Sequence, residues 1–146
     1  MTCQAGRLVE VRVGMLASRP DIDALKEAVI EALHSQYHAV VCVDLRGGRL
    51  LPEDLAEALL GVMRADNPLF HRCASLVASA TLGLQMVRLT REAANPHRRI
   101  FDTPGELALW LRPDLTGIEF ERLQAFLNER PSLSGELRGV PPATPS

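Results

Sequence analysis

Aromatic residues are scarce: they make up 4% of the 146 residues, with one Trp, one Tyr and four Phe. A surface that holds nucleic acid by base stacking needs more of them, set among cations. Charge of one sign is lacking too. Sixteen Lys and Arg stand against 18 Asp and Glu, for a formal net charge of -2, so no global positive field attracts phosphate backbones. Arg88, Arg91, Arg98 and Arg99 form a local cation cluster without interleaved aromatics, and no nucleic-acid partner is expected. The three cysteines, Cys3, Cys42 and Cys73, show no metal-ligand spacing. Cys42 and Cys73 lie in apolar runs where cysteine behaves as a small buried hydrophobe, which fits a reducing cytoplasm. The amino terminus lacks a charged segment followed by an apolar one, and no apolar run approaches the roughly 20 residues that span a bilayer. Neither membrane insertion nor secretion is expected.

What is present is a 47% hydrophobic fraction, mostly Leu, Val, Ala and Ile, in a length suited to one domain with one core. Leu8 to Leu16 alternates around Glu10 and Arg12 as a half-buried strand does. Ser18 or Asp21 opens a helix whose stripe is Ile22, Leu25, Val29, Ala32 and Leu33. Ala39 to Leu45 is a continuous β-branched-rich run, the pattern of a strand covered on both faces. Pro52 starts the next helix, with Glu53 and Asp54 at its positive end and Leu55, Leu59, Val62 and Met63 facing inward.

The alternation continues with a third apolar run, Cys73 to Ser79, and a helical pattern from Thr81 to Glu92 in which Ser79 reads as the N-cap. A short strand follows from His97 to Phe101. Thr103-Pro104-Gly105-Glu106 reads as a capping box opening a helix that buries Leu107, Leu111 and Trp110. Thr116-Gly117-Ile118-Glu119 reads as a second one, with Phe120, Leu123, Phe126 and Leu127 behind it, to be buried on the chain's own sheet or in a homodimer. This predicts an α/β fold: a four- to five-stranded, mostly parallel sheet with helices on its faces, right-handed crossovers, an antiparallel edge strand near the amino terminus and an extra C-terminal helix. Residues 1–113 form the domain, 114–131 the added helix and 132–146 a flexible tail.

Function is sought in the loops at the carboxyl ends of the strands. The first turn, Gly14 to Ser18, is not Gly-x-Gly-x-x-Gly, and Gly47-Gly48-Arg49 is not followed by Gly-Lys-Ser/Thr, so neither dinucleotide nor P-loop binding is expected. Asp44 and Asp102 stand alone at strand ends, without the acid pair of a receiver domain, and read as loop caps. His38, His71 and His97 each stand at a strand entrance on one edge, but with no second-shell carboxylate at readable spacing they read as solvent-facing rather than as a metal site. Arg46 and Arg49 bracket the two glycines as solvated loop cations, able in principle to clamp an anion. No catalytic residue, metal or cofactor is assigned.

Three local patterns nevertheless resemble the STAS domain family, in particular its divergent bacterial branch similar to the SpoIIAA-like anti-sigma factor antagonists. They are the strand ending Val43-Asp44-Leu45, the loop through Leu50-Leu51 into a helix at Leu55, and the run Ile100 to Leu111, together covering about Arg7 to Arg112. The resemblance implies a non-enzymatic signalling adaptor that binds another protein, a regulatory kinase-like one or another signalling partner. In the regulatory members a Ser or Thr at the start of the second helix is phosphorylated. Pro52-Glu53-Asp54 stands there instead, so Glu53 occupies a degenerate phosphosite. The implied partner surface is Arg46, Gly47, Gly48, Arg49, Glu53 and Asp54. The alternative is a carrier of a small apolar or lipid-like ligand, since such sheets also resemble lipid-transfer domains.

Overall fold

The computed structural model describes residues 2–129, and of Thr2–Ala5 the backbone alone; the expected tail, 132–146, lies outside the described residues. Five strands form one sheet in the order β1 (Thr2–Ala5), β2 (Leu8–Arg12), β3 (Ala39–Leu45), β4 (Phe70–Val77) and β5 (Arg98–Phe101). β1 is the expected antiparallel edge, turned back on β2 at Gly6, whose φ of +59° is the left-handed conformation that glycine adopts at little cost. The other four strands are parallel.

Helices α1 (Arg19–His34), α2 (Glu53–Asp66) and α3 (Ala80–Ala93) cover one face, where Val9, Val11, Val41, Leu45 and Cys73 meet Ile22, Leu33, Leu59, Met63 and Leu89. Helices α4 (Pro104–Leu111) and α5 (Gly117–Asn128) cover the other, packing Leu107, Leu111, Leu123 and Phe126 on Leu8, Val40, Cys42 and Leu76. The added helix therefore docks on its own sheet rather than projecting from it. None of the described helices is long and apolar enough to cross a membrane.

Several boundaries move. The strand expected from Leu8 to Leu16 is β2 and stops at Arg12, and β4 begins at Phe70, three residues before the apolar run that marks it. The two capping boxes also part ways. At α5, Glu119 N donates to Thr116 Oγ1 (3.2 Å) and Thr116 N donates to Glu119 Oε1 (2.8 Å). At α4, Thr103 makes no side-chain cap and Glu106 is exposed, so the motif there is sequence without geometry. Thr116→Ala is accordingly expected to cost about 1 kcal/mol in urea denaturation, and Thr103→Ala only a few tenths.

Candidate functional site

The carboxyl end of β3 is organised around Asp44, which is 1% exposed. Its Oδ1 accepts from the backbone N–H of Arg46 (3.0 Å) and from Arg46 Nε (2.9 Å), while Oδ2 accepts from Arg46 NH2 (3.0 Å) and from Arg12 Nε (2.9 Å). Burial pushes this carboxyl up, but the hydrogen bonds and charge of Arg46, with Arg12 behind them, outweigh burial and hold it below the ordinary carboxylate value. Asp44 thus caps the loop as expected.

Arg46 departs from its expectation as a solvated loop cation. Its NH1 donates to Leu127 O (3.1 Å) and its NH2 to Glu129 O (2.8 Å), and Arg12 NH2 donates to Phe126 O (2.9 Å). The last carbonyls of α5 lack their full set of helical partners: Phe126 O accepts from the Glu129 N–H (3.3 Å), and the two guanidiniums add hydrogen bonds and the positive charge that a helix C-terminus favours. Arg12 also pairs with Glu129 (2.5 Å) and lies over the Phe126 ring at 4.3 Å. Arg46 is therefore an internal latch, and the residues beyond it are held differently.

Those residues run along α3. Gly48 closes a turn by donating to Leu45 O (2.9 Å), and a Cβ there would stand 3.0 Å from Leu82 Cδ2 and 3.2 Å from Leu45 O, close enough that both would have to give by a few tenths of an ångström. One step on, Gln85 grips the loop backbone: Leu51 N donates to Gln85 Oε1 (2.9 Å) and Gln85 Nε2 donates to Leu51 O (2.9 Å), both buried. Further along, Glu53 pairs with Arg88 at 3.7 Å. The loop is thus pinned at Asp44 and at Gln85, with Gly47, Arg49, Leu50, Pro52, Glu53 and Asp54 exposed between and beyond. Leu50 is 55% exposed, and Leu84 and Val87 of α3 are 75% and 43% exposed. Gln85→Leu leaves both buried polar groups of Leu51 without partners and is expected to cost about 1–3 kcal/mol in denaturant unfolding.

The remaining candidates are dispersed. Arg98 is buried, bonded to Asp66 (2.5 Å), while Arg99 follows it on the strand and is exposed over Phe101, so the four arginines make no single patch. His38, His71 and His97 do line up along one edge, with ring centroids 5.7 and 6.4 Å apart. Asp114, at the entrance to α5, supplies the carboxylate that sequence spacing does not reveal, 3.1 Å from His71 Nε2. Among the described residues, no three His, Cys, Asp or Glu side chains stand where they could hold a metal ion. Ser79 is the N-cap of α3, accepting from Leu82 N at 3.2 Å. Asp102 is exposed beyond β5.

Sequence reasoning misses Gln85 and Glu10. The signal for Gln85 is a polar side chain within the buried stripe of Leu82, Met86 and Leu89. No protein-family model matches this sequence, and no curated protein aligns with it significantly.

Proposed function

We propose that the chain is a non-enzymatic protein-interaction adaptor of the cytoplasm, a STAS-like module in which Arg49, Leu50, Glu53 and Asp54 meet the partner and no hydroxyl stands at the phosphoacceptor position. The observation that carries this reading is the loop itself. Tied to Asp44 at one end and to Gln85 at the other, it presents one apolar and three charged side chains from a backbone held before any partner arrives, which lowers the entropy lost on association. Mixed signs within the patch, one cation and two anions, favour specific pairing over general attraction to polyanions.

The partner is read as a different protein rather than a second copy, since α5 buries Leu123, Phe126 and Leu127 in its own core. Free thiols at buried Cys42 and Cys73 fit a reducing compartment. The carrier alternative finds little room. The space between the sheet and α1, α2 and α3 has a volume of about 50 Å³, far below the several hundred Å³ of a site that encloses a small-molecule ligand. Gentle purification of the full chain from its native cell, with proteomics and lipid extraction of the same fraction, separates the two readings. A stoichiometric protein without lipid is expected; stoichiometric lipid without protein overturns the adaptor.

A further inference from the structure

Under α5 the sheet is not a simple apolar floor. By strand alternation Leu8, Glu10 and Arg12 of β2 and Val40, Cys42 and Asp44 of β3 face that helix, so three of these six side chains carry an acid or a guanidinium. Glu10 is 3% exposed and has one weak partner, Arg122 NH2 at 3.4 Å from Oε1, while its Oε2 is buried with no hydrogen-bond partner. The groups around it are Arg12 on its own strand, Cys42 and Asp44 on β3, Arg122 on α5 and Glu129 just beyond that helix; Cys3 is its register partner on β1. Arg12 is already shared between Asp44 and Glu129. The counter-charge left for an ionised Glu10 is therefore Arg122, whose own side chain is 45% exposed and so well screened.

We infer that α5 is a hinged lid that opens when Glu10 loses its proton, uncovering Cys42 and releasing Arg12 and Arg46 from the helix end. Two features make a lid of this helix. It joins the body through the short segment Arg112–Leu115, and at its far end Arg12 and Arg46 hold the carbonyls of Phe126, Leu127 and Glu129 through hydrogen bonds. Opening gives Glu10 the water that its buried oxygen lacks. Burial pushes the Glu10 carboxyl up to about 7 against the pull of Arg122, so the proton leaves near neutrality. A carboxyl with a raised folded value favours the closed state fully below its ordinary 4.5, and that preference is lost as pH climbs towards about 7.

The test uses the full chain and N-ethylmaleimide, with labelling at Cys42 read by peptide mass spectrometry and hydrogen exchange of α5 read in parallel. Dividing each wild-type rate by the rate of Glu10→Gln at the same pH removes intrinsic exchange and the thiol's ordinary pH dependence; the charge of an ionised Glu10 pushes the Cys42 thiol up, which lowers rather than raises the labelling ratio. The ratio at Cys42 is expected near one at pH 4 and at about tenfold or more at pH 8, with α5 amides following it. Cys73, buried against the opposite helices, and the α3 amides should keep a ratio near one. Arg122→Gln, measured against wild type, should raise Cys42 labelling at pH 8 and leave it unchanged at pH 4. A flat ratio across this range overturns the lid, and so does a rise shared equally by Cys73 and α3, which is whole-domain unfolding.

Discussion

Replacing Asp44 with Ala is expected to cost about 3–5 kcal/mol, the scale of removing one partner from a buried charge network. That is a large share of the roughly 5–15 kcal/mol by which a domain of this size is stable. The size follows from how many groups meet at this carboxylate. Arg12 and Arg46 lose their common anion in a part-buried setting, the Arg46 backbone N–H loses its acceptor, and both guanidiniums become less well placed to hold the C-terminal carbonyls of α5. Asp44→Asn keeps the shape and one acceptor and should lose less. Urea unfolding at pH 7 gives the magnitude, and hydrogen exchange gives the location: in Asp44→Ala, α5 and the loop after β3 should lose protection before α2 does. An Ala variant within 1 kcal/mol of wild type would contradict the assignment of Asp44 as the keystone of that edge. The same carboxyl gives an acid limb. Its folded value is depressed, so its contribution is present above the ordinary 3.8 and is lost as pH falls through the lower folded value.

Glu10→Gln is expected to act in the opposite direction and to stabilise. The folded carboxyl sits at about 7 against an ordinary 4.5, so wild type loses stability as pH rises through that interval, up to about 3 kcal/mol. Glutamine has nearly the same volume and nothing to ionise. The variant should therefore unfold at higher urea than wild type at pH 8, with the difference closing as pH falls to 4. Parallel stability curves for the two proteins over pH 4–8 would remove Glu10 as a source of pH dependence. The two substitutions sit on adjacent strands under one helix, and their effects should not add when combined.

These two residues also mark where the sequence is legible and where it is not. The β-branched run of β3, the Pro52 helix start, the Ser79 cap and the Thr116 capping box depend on neighbours in the chain, and all four have the local structure expected of them within a residue. Glu10 and Arg12 alternate with Leu and Val in a way that reads as a half-buried strand with a wet face. What covers that face is α5, more than a hundred residues further on, and no local pattern announces it. Arg46 has the same history: two glycines beside it suggest a solvated loop, and only the arrival of the α5 carbonyls turns it into a cap. Thr103 shows the converse, a correct motif whose side chain does not form its bond. Asp114 reaches His71 across 43 residues, so the carboxylate could not be found by spacing.

Because Arg46 is an internal latch, a charge reversal there would test folding and binding together. Arg49 and Leu50 are exposed and make the cleaner pair. The most direct test of the adaptor reading is therefore the binding of the co-purifying protein to full-length wild type and to Arg49→Glu plus Leu50→Asp, by isothermal titration at matched salt. Circular dichroism and urea midpoints establish that the variant is folded. The account predicts an affinity loss of about a hundredfold or more with an unchanged midpoint; unchanged affinity in the folded variant would contradict it.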